Sequence, residues 1–389
     1  MNKEHIKELF NLNTAITFLN HGSFGACPKA VFLDYQNWQR ELEAEPIQFI
    51  TKTGVAAYRK SKEVFAETFN CAVDDFFFTP NPSTAFNTVI KSLQLEAGDE
   101  ILSTDLEYGA MDRTWHFYCK QSGAKYVQQA IPLPIQSKEH FLEAFWKGLT
   151  PKTKYVFLSH ITSSTALILP IEEICKKAKE LGLITIIDGA HVPGHLPLHL
   201  NKLEADYYTG AMHKWYLAPK GFSFLHVKKE FQASLDPLIV SWGYESEFPS
   251  HSPFLDYHEY SGTRDFSAYL TMPALRHFWL ENDWGNKSVE ARKMILEWYP
   301  KFCKLLNTVP ICPVNSEFLG QMCSIPIRTT KPLELKEILY QKYKIEIPVT
   351  NKGKDYFIRI SIQGYTAESE LEYLYDSLRE LLAEGIYLN

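Results

Sequence analysis

Along this chain, short unbroken runs of apolar and β-branched residues alternate with longer stretches whose apolar positions recur every third or fourth residue. Runs of the first kind suit strands buried on both faces, and stretches of the second suit helices with one packed face. Residues 1–20 read as a short helix and a crossing segment. Pro28 then opens a helix to about Glu45, with Val31, Tyr35, Trp38 and Leu42 at helical spacing. A second helix over 54–69 carries Val55, Tyr58, Lys62, Phe65 and Phe69 on one side. From Phe76 the alternation becomes regular. Strands are predicted at 76–79, 100–103, 125–129, 154–159, 183–187 and 205–209. Helices are predicted from 81–84 to about Leu95, and over 109–121, 137–148 and 171–181. Repeated β-α-β at this spacing indicates a mostly parallel sheet with helices on both faces. The run 222–227 reads as one more strand, a hairpin partner to the one before. Residues 235–258 are rich in Pro, Ser and aromatics and lack periodicity, so they read as one long functional loop. A helix from about Ser267 leads into a smaller α+β unit: helix 287–306, strand 321–325, helix 333–343, strand 356–361 and helix 368–384.

Length and charge narrow the setting. A chain of 389 residues exceeds what one core usually holds, so two domains are expected. Net charge is −6 and no basic cluster is evident, which argues against nucleic-acid or anionic-membrane partners. Residues 1–13 lack the apolar core of a signal peptide, and no run approaches membrane-spanning length. The seven cysteines are scattered without a CxxC pair, as expected for reduced thiols in a cytoplasmic protein.

Candidate chemistry concentrates between Leu183 and Gly221. Asp188 directly follows one predicted strand, and His213 and Lys214 lie just beyond the end of the next. Carboxyl ends of neighbouring parallel strands share one edge of a sheet, where ligands bind, so the acid and the amine can face one ligand. That pairing suits pyridoxal phosphate (PLP): the amine bonds covalently to the aldehyde, and the acid keeps the pyridine nitrogen protonated as an electron sink. Taken alone, the two residues equally fit a strand-end turn acid and a surface lysine. His191, His195 and His199 recur every four residues, but Pro193, Gly194 and Pro197 forbid the helix that would align them, so no metal site is expected. Asn81-Pro82-Ser83-Thr84, between strand and helix, offers backbone N–H groups and hydroxyls to a phosphate, or simply caps the helix.

Three motifs, Asp-Gly-Ala-His (188–191), Ala-Asp-Tyr-Tyr-Thr-Gly (205–210) and His-Lys-Trp-Tyr-Leu-Ala-Pro-Lys-Gly (213–221), closely resemble the class V aminotransferase family of fold-type I PLP-dependent enzymes. Leu-Asn-His-Gly-Ser-Phe-Gly (19–25), Gly-Thr-Arg-Asp (262–265) and Arg-Ile-Ser (359–361) match its isopenicillin N epimerase-like branch in order. The resemblance spans nearly the whole chain. It implies a large PLP-binding domain over 18–265 with a mostly parallel sheet, and a small domain formed by 1–17 and 266–389. It implies Lys214 as the covalent attachment point, Asp188 on the ring nitrogen and His191 on the phenolic oxygen. Ser83, Thr84 and His213 would bind phosphate, without the hydroxyl or amide often found at the position of Ala211. Tyr108 would stack on the ring, and Ser163 stands where related desulfurases have an asparagine. Thr263 would reach the phosphate of a neighbouring subunit, which implies a homodimer with shared sites. Arg359 would clamp the substrate carboxylate, and Arg264 would hold a second one or brace the dimer. Asn20 and His21 would line the substrate pocket, with Trp215 as a wall.

The reaction implied is chemistry at Cα or Cβ of an amino acid, either epimerisation or carbon–sulfur lysis, with transamination as the alternative. A persulfide-forming cysteine desulfurase needs a mobile Cys shortly before the carboxylate arginine. Residues 346–357 contain none, and Cys323 lies well upstream. A non-catalytic scaffold is disfavoured because Asp188, Lys214 and Arg359 are all retained.

Overall fold

A computed structural model describes residues 3–388. Its central sheet has seven strands: β1 (Phe76–Thr79), β2 (Glu100–Thr104), β3 (Lys125–Gln129), β4 (Thr153–Ser159), β5 (Ile184–Asp188), β6 (Tyr207–Ala211) and β7 (Ser223–Val227). Their order is β1-β7-β6-β5-β4-β2-β3. Strand β7 runs antiparallel to both its neighbours, and the remaining pairings are parallel.

Side chains alternate between two cores, as the two-residue repeat of a strand requires. Phe76 and Phe78, Val156 and Leu158, and Ile187 enter one core, whereas Phe77, Phe157 and Ile186 enter the other. The second core is closed by helices Pro82–Ser92 and Gly109–Ser122, through Phe86, Val89, Met111 and Trp115. The first core is larger because the C-terminal unit shares it. That unit holds β8 (Met322–Ile327), β9 (Val349–Lys352) and β10 (Asp355–Ser361) in an antiparallel sheet of order β9-β10-β8. Helices Trp284–Leu305 and Glu368–Glu384 pack against it with Ile295, Tyr299, Leu374 and Leu378.

The N-terminal segment belongs with this unit in space. Thr17–Phe18 pairs in parallel with Ile345–Glu346, and Asn20 bridges to Ser361. Residues 19–25 are thereby drawn across the carboxyl edge of the central sheet, with the Gly22 N–H donating to Ser361 Oγ at 3.0 Å.

Two expectations need correction. The stretch 235–258 is not one loop, since a helix runs over Pro253–Glu259, capped by the Ser252 side chain and anchored by buried Phe254 and Leu255. Val55 is 46% exposed rather than packed. On the same helix Lys62 is buried and pairs with Glu259, because salt-bridging offsets its burial.

Candidate active site

The carboxyl ends of β2, β4, β5 and β6 form a common rim, and Asp188 stands at its centre. It ends β5, beside its register partner Ser159 at the end of β4. Its carboxylate accepts the Ala190 N–H at 2.9 Å and is otherwise enclosed. Burial raises its pKa above the usual range, against the opposing pull of the Ala190 N–H and of Lys214. A buried carboxylate in that state gains from a cationic partner.

Lys214 sits in a tight loop between β6 and β7. Met212 N–H and His213 N–H both donate to the Phe222 carbonyl, and Leu217 N–H donates to the Lys214 carbonyl. Its Nζ lies 3.3 Å from His191 Nε2. Burial lowers the amine to about 8; Asp188 opposes this and Arg359 adds to it. Only a neutral amine attacks an aldehyde. Covalent attachment of PLP to the cofactor-free chain should therefore accelerate as pH rises through about 8 and level off above it. A rate still climbing toward the ordinary lysine range would show that the amine is not shielded.

Arg359 reaches this rim from β10 and is 4% exposed. Its Nη1 donates to the Ser163 carbonyl at 2.7 Å and its Nη2 to Ser23 Oγ at 2.8 Å. Ser23 in turn donates to the Asn20 side chain. The Arg359 Nε has no partner, and among the described residues no carboxylate pairs with the guanidinium.

Other sequence-derived candidates fall around this centre. Asn81 caps helix Pro82–Ser92 by accepting from the Thr84 N–H at 2.9 Å and from the Thr84 hydroxyl at 3.2 Å. Ser83 and Thr84 thus stand at a helix start whose dipole favours an anion. His213 Nδ1 is tied to the Phe222 carbonyl at 3.0 Å, and burial lowers its pKa to about 4. It can donate to a phosphate only as an imidazolium, a state that a bound dianion favours. Tyr108 precedes helix Gly109–Ser122 and is 48% exposed, so its ring face is open.

Two candidates lie elsewhere than expected. His21 does not line a pocket: it is fully enclosed, bonded to Tyr365 Oη at 2.7 Å and to the Lys214 carbonyl at 3.1 Å. Trp215 is likewise enclosed rather than a wall. Thr263 and Arg264 line a separate pocket of about 620 Å³ with Tyr58, Trp242, Phe248 and Glu259, and Arg264 donates to Tyr269 Oη at 2.9 Å.

Sequence reasoning missed Glu107. It is buried, accepts from Thr104 Oγ1 at 2.6 Å, and takes the Ser159 N–H and hydroxyl at 2.8 and 2.6 Å. It therefore clasps the ends of β2 and β4 and fixes the turn that carries Tyr108. Burial pushes it up to about 8. An acid one residue from an exposed tyrosine looks like a surface charge, and only the neighbouring strand supplies its partners.

A buried acid and a buried amine at one strand-end rim of a mostly parallel sheet, beside a helix start, form the arrangement of a fold-type I α/β protein that binds PLP. The family model for class-V aminotransferases matches residues 25–374, and the chain belongs to that family. PLP is its cofactor, and the cluster of Asp188, Lys214 and the Asn81–Thr84 helix start fits that group. The chain is 31% identical over 390 residues to isopenicillin N epimerase of Amycolatopsis lactamdurans, covering 96% of this chain and 97% of that one. It is 24% identical over 415 residues to an L-cysteine desulfhydrase of Arabidopsis thaliana, covering 97% and 90%. Its fold superposes with a TM-score of 0.82 on the enzyme C-DES, in a variant holding glycine covalently linked to PLP, at 20% identity and coverage of 96% and 99%.

Proposed function

We propose that this chain removes the α-proton of an amino acid and passes it to epimerisation or carbon–sulfur elimination. PLP supplies the electron-withdrawing ring that makes that proton acidic. Lys214 would hold the cofactor covalently, and its amine, when free, would serve as the base at Cα. Asp188 would pair with the ring nitrogen, and the His191 N–H would be in reach of the ring oxygen. Tyr108 would cover the ring, Ser163 would stand near its oxygen, and Ser83, Thr84 and His213 would take the phosphate. Asn20 holds Ser23 against Arg359.

The observation that carries this reading is Arg359. A guanidinium buried among neutral oxygens, with Nε unpartnered, is costly unless an anion completes it, and an amino-acid carboxylate does so bidentately. The thiols support the same branch. Cys323 is fully buried with its pKa raised well above the usual range, and burial puts Cys27 at about 12, so neither supplies the thiolate of a persulfide route. The named relatives, an epimerase and a desulfhydrase, both fit proton removal at Cα.

In deuterated water, amino acids incubated with the enzyme should gain deuterium at Cα, and those with a sulfur leaving group should also release pyruvate and a thiol. Stoichiometric consumption of a keto acid would instead establish transamination. Arg359→Ala should weaken amino-acid binding by roughly 100-fold or more while the visible spectrum of bound cofactor stays intact. Loss of PLP itself would remove Arg359 from the substrate site.

We also infer a homodimer. Trp242 is 76% and Phe248 89% exposed beside the pocket that holds Thr263 and Arg264, an apolar surface that a second subunit would cover. Thr263 would then serve the partner's phosphate, and Arg264 would brace the contact or meet a second carboxylate. Sedimentation should give a dimer that Phe248→Asp weakens; a monomeric wild type at micromolar concentration would refute sharing. Among the described residues no helix is long and apolar enough to cross a membrane. All seven cysteines are free, which favours a reducing, cytoplasmic setting.

A further inference from the structure

Trp215 directly follows the lysine and is fully enclosed. His195 packs on it at a ring-centroid distance of 4.1 Å and His21 at 5.1 Å. Gly22 allows this fit, since a Cβ there would lie 3.1 Å from the indole Cζ2. The ring so held points its N–H at His191 Nδ1, 3.2 Å away. An indole nitrogen only donates, so Nδ1 must present a lone pair. Burial, with Lys214 adding to it, holds His191 well below the usual histidine range, which keeps the ring neutral. A neutral imidazole accepting at Nδ1 carries its proton on Nε2. That N–H faces Lys214 Nζ at 3.3 Å.

An N–H aimed at the lysine nitrogen bonds to the lone pair of a free amine and repels an ammonium. The opposite tautomer would offer a lone pair and favour the ammonium. We propose that Trp215 is a positioning residue for the reaction: by fixing the tautomer of His191 it makes that ring a donor toward Lys214 and favours the free amine over the ammonium. The proposal rests on Lys214 being the attachment point. Two other groups bear on the lysine, Asp188 favouring the ammonium and Arg359 opposing it, while Arg359, His195 and His213 act on His191 in the same sense as Lys214. None of these selects a tautomer. Among the described residues, Trp215 is the hydrogen-bond partner that Nδ1 has.

The test uses the full-length protein in two measurements. Nitrogen-15 NMR of histidine-labelled protein should show His191 with a protonated Nε2 and a bare Nδ1, and W215F should give a mixture. In parallel, the pH midpoint for covalent attachment of PLP is measured for wild type, W215F, H191L and the double variant. W215F should raise the midpoint by about one unit, and it should shift nothing further in the H191L background. If W215F misfolds, placing benzothienylalanine at position 215 keeps the bicycle and removes only the N–H. A protonated Nδ1 in the wild type overturns the proposal, as does an equal W215F shift with and without His191. Failure of PLP to attach to the wild type would overturn the assigned role of Lys214 instead, and the NMR measurement would still decide the tautomer.

Discussion

Asp188→Ala should retain covalently bound PLP yet lose turnover on the order of 100- to 1000-fold, the usual loss when one preorganised charge partner is removed from a buried site. Attachment depends on the amine of Lys214, which Asp188 does not form. Turnover depends on how strongly the ring withdraws electrons from Cα, and a pyridine nitrogen without an anionic partner spends most of its time unprotonated. Asp188 is suited to the task because it is buried beneath the rim with a single backbone donor at 2.9 Å and its pKa already raised. Little else nearby competes for its charge. Glu107 cannot substitute. Its two oxygens are taken by Thr104 and Ser159, and burial places it at about 8, so near neutral pH it is largely uncharged. Exchange of the Cα proton with deuterated water reads the defect most directly, since epimerisation and elimination share that step. Asp188→Asn should behave like alanine if charge matters and recover activity if shape suffices. Normal exchange in both variants would take Asp188 out of the mechanism.

The sheet was legible because its strands are short, apolar and bounded by turn residues; the strands at 76–79 and 125–129 and the helix at 54–69 lie where the pattern put them. The places of Asp188 and Lys214 followed from strand-end position. What the pattern missed depends on contacts far along the chain. Strand β9, Val349–Lys352, is half-exposed without alternation, so only its pairing with β10 reveals it. Helix Pro253–Glu259 did carry a start signal in Ser252 and Pro253, masked by the aromatic loop before it. His21 reads as a polar pocket residue because sequence cannot show Tyr365, more than 300 positions away, closing over it. For the same reason the glycines of the segment 19–25 matched a motif without disclosing what they make room for.

Gly25 shows what that room is for, and Gly25→Ala should sharply reduce covalent attachment of PLP although no atom of Gly25 belongs to the chemistry. Its φ of +70° is left-handed, and a Cβ built there would lie 2.1 Å from the His213 carbonyl oxygen and 2.9 Å from the Lys214 Cα. The first term, strain of a non-glycine residue at that φ with ψ 174°, costs about 1–3 kcal/mol. The overlap is larger, because both colliding partners are backbone and the lysine loop has little freedom. That loop already holds Leu217 at φ +72° and is fastened by bonds from His21 and Leu217 to the Lys214 carbonyl. Relief must come from moving the lysine or the 21–25 segment, and either displaces Nζ from His191 or Ser23 from Arg359. With every 1.4 kcal/mol worth tenfold, PLP affinity should fall on the order of 100-fold, and substrate binding should weaken with it. Gly221→Ala is the control. It lies at the end of the same loop with φ +92° but opens onto free space, so it carries the strain without the overlap. Titration of both variants with PLP, followed by the visible band, separates the two terms. Equal losses would mean that backbone strain alone accounts for the glycine, and an unimpaired Gly25→Ala would mean that the segment does not seat the lysine.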